Sequence, residues 1–374
     1  MGIEPTSSAW EAEVLPLNYT RFGRRLAKII IAAPEGANVA RGNAQRAPNR
    51  PILEARNFLS LIASEMQAVD AVIRKRLHSE VPLVREIAEY IIASGGKRLR
   101  PALLLLAAGA LGHRGHDCHE LAAVVEFIHT ATLLHDDVVD ESTLRRGKET
   151  ANAHFGNAAS VLVGDFLYSR AFQMMVGVGR MRVMQVLADA TNIIAEGEVL
   201  QLMNCHNADL SVEEYLRVVR YKTAKLFEAS ARLGAILGGA QSALEEGFAA
   251  YGMHLGTAFQ IADDVLDYSG QEEELGKSLG DDLAEGKPTL PLIHVMQHGS
   301  PEQASLVRSA LEQGGRDAFP QVIRAVKETG ALDAALQTAR DESARARDAI
   351  AALPDSQYRE ALLQLAAFAA DRRY

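Results

Sequence analysis

Two copies of one aspartate-rich motif have the composition and spacing of a divalent-metal site. The first copy consists of Asp136, Asp137 and Asp140, and the second of Asp263, Asp264 and Asp267. Each copy follows an apolar stretch with helical spacing, so its first and third aspartates lie about one turn apart on one helix face. Carboxylates crowded onto an apolar helix repel one another and are costly to bury unless a cation lies between them. Oxygen ligands of this kind suit Mg²⁺, which is usually shared with substrate phosphates.

An ordinary solvated helix face is the alternative interpretation of these acidic motifs, and for a single copy the two interpretations would be about equally balanced. Two copies, both in apolar surroundings, favour a metal site. A second possible metal site, for zinc, is the group His113, His116, Cys118 and His119. Because this group lies in a polar, glycine-bearing connection after an apolar helix, a solvated loop is the favoured interpretation.

Basic side chains surround the two motifs in an order that suits a phosphate-bearing ligand. Two glycines precede the first group, which consists of Lys97, Arg98 and Arg100. Further along the chain are the pairs Arg145 and Arg146, Lys222 and Thr223, and Lys277 and Lys287. Each group alone is a weak signal, because lysine and arginine usually cover solvated surfaces. Their order around two metal motifs predicts a site for a diphosphate-like substrate.

The composition is that of a helical protein with a large core. Of the 374 residues, 48% are hydrophobic, 23% are charged and only 6% are aromatic, which favours helix packing over sheet. The net charge of -9 argues against nucleic acid as a partner. The two cysteines, Cys118 and Cys205, predict a reducing, cytoplasmic location without a disulfide framework.

Helical periodicity extends over nearly all of residues 57–374. Leu59, Ile62 and Met66 illustrate the spacing, and short glycine-bearing breakers separate the successive helices. We therefore predict one all-α domain over residues 57–374, with its helices around a central cavity. No run in the sequence approaches the roughly 18 apolar residues of a membrane-spanning helix.

Residues 1–56 differ from the rest because no sustained period appears in them. Proline, glycine, asparagine and arginine are frequent in this segment. We expect a disordered extension with a short helix around Tyr19–Ala32, or a start site placed too far upstream. In either case the segment should contribute little to folding stability, because it has little apolar surface to bury.

Taken together, the motifs resemble those of the trans-isoprenyl diphosphate synthases, also called polyprenyl synthetases. The resemblance runs from about residue 57 to the C-terminus. It includes Gly95 to Arg98, both aspartate motifs with Arg145, Arg146 and Gly147, Lys222-Thr223, Phe259-Gln260 and Gly280 to Asp282. The stretches Glu126–His135 and Ala195–Leu202 are similar to those of bacterial, octaprenyl-forming members. No motif position departs from the family pattern, so an inactive relative is not expected.

The resemblance implies an all-α isoprenoid-synthase helical bundle, a homodimer and a magnesium-dependent prenyltransferase. Such an enzyme elongates an allylic diphosphate, expected here to be farnesyl diphosphate, by head-to-tail addition of isopentenyl diphosphate. The expected product is a long all-trans polyprenyl diphosphate, octaprenyl diphosphate, for the side chain of a respiratory quinone. About three Mg²⁺ ions per active site are expected. Membrane contact is expected to be at most transient, during product release.

Residue by residue, the resemblance assigns roles to the motif side chains. The metal ligands are Asp136, Asp137, Asp140, Asp263, Asp264 and Asp267, and the catalytic residues are Asp136, Asp140, Lys222 and Asp263. Isopentenyl diphosphate is held by Lys97, Arg100, His129 and Arg146. The allylic diphosphate is held by Arg145, Lys222, Thr223, Gln260 and Lys277. Arg98 and Lys287 complete the substrate-binding set.

Product length is expected to depend on the depth of an apolar tunnel below the first motif. Thr132 lies one helical turn before Asp136, and Ala131 is adjacent to it. Both residues are small where short-chain members of the family have bulky aromatic residues, so the tunnel should continue. Met175 is a candidate for its floor. Ordinary core packing is the alternative interpretation of each of these residues.

Two other classes of protein remain as alternatives. A class I terpene cyclase also uses an aspartate-rich helix and Mg²⁺, but it needs no isopentenyl site and its second metal motif usually differs. The complete second motif and the glycine-lysine-arginine element argue against it. A non-catalytic subunit of a heteromeric synthase would be expected to lack some of the aspartates, and none is missing.

Overall fold

About four fifths of the residues that the structure describes are helical. The structure is a computed structural model, and it describes residues 58–93, 95–145, 147–269 and 279–371. Within these ranges the strands are limited to one short hairpin, so the predicted all-α architecture is confirmed. None of the described helices has the length and apolar character needed to cross a membrane. The predicted extension, residues 1–56, and the short helix predicted within it lie outside the described residues.

Helices of about one to seven turns make up the first part of the described chain. They are α1 (Ala63–Arg76), α2 (Pro82–Ala93), α3 (Leu99–Ala110) and α4 (His116–Val139). The hairpin of β1 (Leu144–Arg145) and β2 (Lys148–Glu149) follows. The chain then continues with α5 (Ala151–Phe155), α6 (Asn157–Val178), α7 (Met181–Asn204) and α8 (Val212–Val219).

The second part begins with a π-helical turn, Arg220–Ala224, which joins α8 to α9 (Lys225–Leu237). The long helix α10 (Ser242–Ser269) comes next. The remaining helices are α11 (Asp281–Ala284), α12 (Leu290–His298), α13 (Pro301–Gln313), α14 (Phe319–Glu328), α15 (Ala331–Ala349) and α16 (Gln357–Ala370), with a 3₁₀ turn at Arg316–Ala318.

Helix α3 lies at the centre of the largest apolar cluster. Its residues 102–108 are buried without interruption, as expected for a helix whose sequence is apolar on every face. Pro101 occupies the first turn, where the missing N–H interrupts no helical hydrogen bond. Helices α4, α9 and α16 pack against α3, and α6 lies along α4. This packing fixes the position of α4, which carries the first aspartate motif at its C-terminal end.

Helix α10 carries the second aspartate motif and packs against α9, α15 and α16. Phe248, Tyr251 and Leu255 bury its inner face. The Tyr251 hydroxyl donates to the carbonyl oxygen of Leu362 at 2.7 Å, which ties α10 to α16. Both motif helices are therefore held by the core, and neither depends on the cavity for its position.

The histidine and cysteine group that was predicted to be a solvated loop lies largely within a helix. Residues 116–119 form the first turn of α4, and Cys118 is only 1% exposed. Burial raises the pKa of the Cys118 thiol to about 12. The Oδ1 atom of Asp117 lies 3.1 Å from His113 Nε2, and its Oδ2 pairs with Arg180 at 3.4 Å. Core packing and ion pairs therefore account for this group, although His113, Asp117 and Cys118 are close enough to share an ion.

Candidate active site

The two aspartate motifs face one cavity of about 760 Å³. Asp136 and Asp140 line it from α4, and Asp263 lines it from α10. These three are the aspartates to which the sequence assigned catalysis. The structure thus brings together carboxylates that are more than a hundred residues apart in the chain, in the arrangement that the repeated motif predicted.

The three other motif aspartates, Asp137, Asp264 and Asp267, are buried and hold protein partners. Asp137 is 4% exposed, and its Oδ1 accepts hydrogen bonds from Arg145 Nε at 2.9 Å and Nη2 at 2.6 Å. Burial raises the pKa of Asp137, although Arg145 acts in the opposite direction. Asp267 is fully buried and accepts from the backbone N–H of Asp282 at 3.3 Å. Their assignment as metal ligands stays a prediction.

Lys222 lies between two carboxylates on the cavity wall. Its Nζ donates to Glu198 Oε2 at 2.5 Å and lies 3.6 Å from Asp136 Oδ2. Burial lowers the pKa of Lys222, but Asp136 and Glu198 raise it by more, so the lysine stays charged. Burial raises the pKa of Glu198 to about 7, Lys222 opposes this shift, and Asp136 adds to it. Glu198 was not among the predicted site residues.

Lys287 repeats this arrangement at the other end of the first motif. Its Nζ donates to Asp140 Oδ2 at 2.9 Å and lies 2.5 Å from Glu285 Oε2. Burial lowers the pKa of Lys287, but Asp140 and Glu285 raise it by more, and the net shift is upward. Each outer aspartate of the first motif therefore has a lysine beside it, and each lysine has a glutamate as a second partner.

The local backbone geometry places Lys222 and Thr223 in the cavity wall. Both residues lie in the π-helical turn, a feature that widens a helix and is frequent at functional sites. Helix α7 approaches this turn closely at Gly197, where an added Cβ would lie 2.6 Å from the backbone nitrogen of Lys222. Only glycine permits this approach, and it allows the neighbouring Glu198 to reach the lysine.

A chain of hydrogen bonds runs from the π turn through α10 to α8. The Thr223 hydroxyl donates to Gln260 Oε1 at 2.8 Å, and Gln260 Nε2 donates to Asp264 Oδ1 at 2.7 Å. The Tyr215 hydroxyl donates to Asp264 Oδ2 at 2.6 Å. At Gly256, one turn before Gln260, an added Cβ would lie 2.6 Å from Ala224 Cα, so glycine sets this spacing. Both carboxylate oxygens of Asp264 thus accept from protein groups.

A second set of cations lines the cavity near the start of α3. Lys97, Arg98 and Arg100 all contribute to this wall. Arg100 Nη1 lies 3.3 Å from His129 Nε2, and its guanidinium carbon lies 4.4 Å from the centre of the Phe227 ring. Burial lowers the pKa of Arg100 to about 10, which leaves it charged at neutral pH. The predicted isopentenyl-site residues that the structure describes therefore lie together.

Arg98 differs from its neighbours because it also holds the fold together. It pairs with Asp70 on α1, and its Nε lies 3.9 Å from Glu126 Oε1 on α4. Its φ of 45° is in the left-handed region, which is strained for a residue with a side chain. The ion pairs on two helices hold it there.

The predicted chain-length residues are divided between the cavity and the core. Thr132 lines the cavity together with Leu133. Ala131 and Met175 are fully buried in the main apolar cluster and are not part of the cavity wall. Their predicted role in setting product length stays untested by this arrangement. Arg146 and Lys277 lie outside the described residues.

Several polar side chains in the cavity wall were not predicted from the sequence to be site residues. They are Glu198, Gln201 and Asn204 on α7, and Asp281, Asp282 and Glu285 in and after α11. The stretch around Glu198 and the pair Asp281-Asp282 had been noted as family-like sequence. Their place in the site was not assigned, because no spacing rule places α7 or α11 beside α4.

Known proteins resemble this chain over most of its length. A family model described as polyprenyl synthetase matches residues 81–327. The octaprenyl diphosphate synthase of Escherichia coli (strain K12) is 54% identical over 313 residues, which are 83% of this chain and 97% of that protein. The all-trans-nonaprenyl-diphosphate synthase (geranyl-diphosphate specific) of Rhodobacter capsulatus is 45% identical over 317 residues, which are 84% of this chain and 97% of that protein.

Solved structures share the fold. A polyprenyl synthase from Caulobacter crescentus CB15, complexed with calcium and isoprenyl diphosphate, has a TM-score of 0.83 at 45% identity, covering 86% of this chain and 98% of that one. A decaprenyl diphosphate synthase from Rhodobacter capsulatus has a TM-score of 0.81 at 44% identity, covering 86% and 99% respectively.

Proposed function

Because the chain belongs to the polyprenyl synthetase family, whose members elongate allylic diphosphates, we propose that it makes octaprenyl diphosphate. It adds isopentenyl diphosphate units to an allylic primer, which we take to be farnesyl diphosphate. The observation that carries this proposal is the single cavity, in which Asp136, Asp140 and Asp263 face cationic groups suited to two diphosphates. The product would supply the side chain of a respiratory quinone.

The carboxylates of the cavity fit Mg²⁺. Asp136, Asp140 and Asp263 offer hard oxygen ligands from two walls, and lysine cations lie beside two of them. The Caulobacter relative, solved with calcium and isoprenyl diphosphate, supports a hard divalent ion in this fold. When bound, the metal would neutralise the negative charge that grows on the departing diphosphate. We propose about three ions per site, as the family resemblance implies.

The π turn and the second motif helix would form the allylic subsite. Lys222 is charged and lies beside Asp136. It can therefore stabilise the negative charge that grows on the diphosphate during C–O cleavage. Thr223 and Gln260 line the same wall. Arg145 contributes from the hairpin, and Lys277 is assigned here from the sequence alone. Such groups stabilise the transition state more than the ground state, because the diphosphate gains additional negative charge as the bond breaks.

The cations near α3 would form the isopentenyl subsite. Lys97, Arg100 and His129 line that wall, with Arg98 braced behind them, and Arg146 is added from the sequence. Holding the second substrate there places its double bond for attack on the allylic cation and accounts for much of the acceleration. We assign the final proton transfer to the departing diphosphate. The apolar wall at Leu133 and Phe227 would keep water away from the cation.

The exposed apolar side chains support a homodimer. Leu162, Val176, Met181, Leu202 and Met203 on α6 and α7 are each more than 60% exposed. Exposed apolar surface is typical of an interaction surface, and we propose that a second copy covers these two helices. We also propose a cytoplasmic location, with transient membrane contact when the long product leaves.

The test is incubation of the purified protein with farnesyl diphosphate, labelled isopentenyl diphosphate and Mg²⁺, followed by sizing of the product. We expect a labelled octaprenyl chain, and its loss when EDTA replaces Mg²⁺. A hydrocarbon formed without label would instead indicate a terpene cyclase. An absence of any product from the folded protein would indicate a non-catalytic subunit.

A further inference from the structure

The hydroxyl of Tyr215 begins a chain of hydrogen bonds that ends at Thr223 in the π turn. We propose that Tyr215 is a positioning residue for the allylic subsite, which it orders through Asp264 and Gln260. This inference rests on the proposed assignment of Thr223 and Gln260 to that subsite. Tyr215 lies on α8, outside both aspartate motifs, and had no role among the predicted site residues.

The distances and the burial of the chain support a fixed arrangement. Its three links measure 2.6, 2.7 and 2.8 Å, and the link between Tyr215 and Asp264 is fully buried. Tyr215 and Asp264 are each 5% exposed, so water has little access to replace a missing partner. Burial raises the pKa of Tyr215 well above its ordinary value, which keeps the phenol protonated as a donor.

The donor and acceptor at each link of this chain depend on those at the neighbouring link. Gln260 turns its amide nitrogen to Asp264, whose Oδ1 accepts from it, and its amide oxygen to Thr223, whose hydroxyl donates to it. The Thr223 proton is thereby directed to Gln260, so the side chains of Thr223 and Gln260 are held against each other in the wall of the allylic subsite. Tyr215 supplies the second donor that holds the Asp264 carboxylate in the required orientation.

The ring of Tyr215 has a separate role from its hydroxyl. It packs in an apolar cluster with Leu210, Val219 and Ile261, and this packing does not use the oxygen. A reciprocal capping box between Ser211 and Glu214 fixes the start of α8 independently. Replacing Tyr215 with phenylalanine should therefore keep the helix and the cluster, and remove only the hydrogen bond to Asp264.

The test compares Tyr215→Phe with Tyr251→Phe. Tyr251 is a matched control, because it is also buried and its hydroxyl also makes a buried hydrogen bond, but to Leu362 in the core. We expect Tyr215→Phe to lower kcat/KM for farnesyl diphosphate about tenfold, as for a buried polar group that loses one hydrogen-bond partner. The KM for isopentenyl diphosphate should stay within about twofold. Tyr251→Phe should change thermal stability and leave both constants near those of the wild type.

A double-mutant cycle with Thr223→Val distinguishes positioning from general support. If Tyr215 acts through the chain, Tyr215→Phe should lower kcat/KM by less than about threefold once Thr223 has lost its hydroxyl. Fully additive effects, or an unchanged kcat/KM in Tyr215→Phe alone, would overturn the inference. If Thr223→Val alone left the farnesyl diphosphate constants unchanged, the subsite assignment itself would be wrong. The two failures are therefore distinguishable.

Discussion

Lys287 Nζ lies 2.9 Å from Asp140 Oδ2, although 147 residues separate the two in the chain. The same relationship holds between Lys222 and Asp136, at 3.6 Å. Both lysines thus lie where a divalent cation would be expected to bind. A cation at either aspartate has to compete with a lysine, and the displaced lysine becomes available to the diphosphate that arrives with the metal.

Replacing Lys287 with methionine should strengthen Mg²⁺ binding to the protein without substrate, by about tenfold, because a competing charge is removed from Asp140. The same variant should bind substrate more weakly. Calorimetric titration with Mg²⁺ alone measures the first effect. Lys225→Met is the control, because Lys225 also pairs with a glutamate, Glu228, but does not line the cavity. An unchanged Mg²⁺ affinity in Lys287→Met would contradict the competition.

Asp136→Ala and Asp263→Ala should each lower turnover by at least about a hundredfold, because each removes a ligand for the ions that neutralise the diphosphate. Steady-state incorporation of labelled isopentenyl diphosphate measures the effect. Asp348→Ala on α15 is a suitable control, because this aspartate is exposed and distant from the cavity wall. Near-normal turnover by either motif variant would refute a metal site built from both walls.

Glu198 should make the stability of the metal-free protein depend on pH. Its pKa rises from 4.5 to about 7 on folding, so the folded state binds this proton more tightly than the unfolded state. The resulting destabilisation is absent below pH 4.5, grows between 4.5 and 7, and is constant above that range. Its full size is at most ~3 kcal/mol.

The variant Glu198→Gln removes this ionisation and should therefore be more stable than the wild type at pH 8, with a smaller difference at pH 5. Thermal unfolding in EDTA across this range measures the change. Glu196→Gln, at an exposed position on the same helix, controls for the loss of a carboxylate. A difference between Glu198→Gln and wild type that is the same at both pH values would show that Glu198 does not titrate in this range.

Thr132→Phe should shorten the product. Thr132 lines the cavity one turn before Asp136, so an aromatic ring there would meet the growing chain. Chain growth stays favourable by about 0.8 kcal/mol per buried carbon until a wall is met, so products of about 15–20 carbons should replace those of about 40. Chromatography of the dephosphorylated products measures their length, with Thr132→Ser as the control. Full-length product from Thr132→Phe would mean that the chain grows along another face.

Deletion of residues 1–50 should leave melting temperature and turnover almost unchanged. The proposal rests on the composition of this segment, which has little apolar surface to bury. Differential scanning calorimetry and the product assay test it on the shortened and the full chain. A large loss in either measurement would show that the segment docks on the catalytic domain.

The parts of the site that the sequence predicted are those encoded within one helix. Asp136 and Asp140 share a face of α4 because four residues make about one turn, and the apolar residues before them predicted that helix. The same local rule failed at residues 116–119, because polar residues in the first turn of a helix resemble a loop. Local residue spacing alone could not distinguish the first turn of a helix from a loop.

The residues that escaped prediction depend on contacts between distant helices. Glu198 reaches Lys222 because Gly197 lets α7 approach the π turn, and nothing in the spacing of α7 specifies that approach. The sequence pattern around Tyr215 is that of an ordinary core residue on an amphipathic helix. Its hydrogen bond to Asp264 is evident only from the structure. Family resemblance assigned roles to most of the cationic side chains that line the cavity, but not to the groups that hold them.

The π-helical turn at Arg220–Ala224 affects how this protein can evolve. Such a turn is equivalent to an α-helix with one residue inserted, so a single-codon deletion would restore the regular hydrogen-bonding pattern. Because the widened turn absorbs the extra residue, the flanking helices α8 and α9 would keep their phase, and only the residues within the turn would be displaced. Lys222 and Thr223 would then leave the cavity wall while the helical core remained intact. A descendant of this protein could therefore lose its chemistry in one step and keep its architecture.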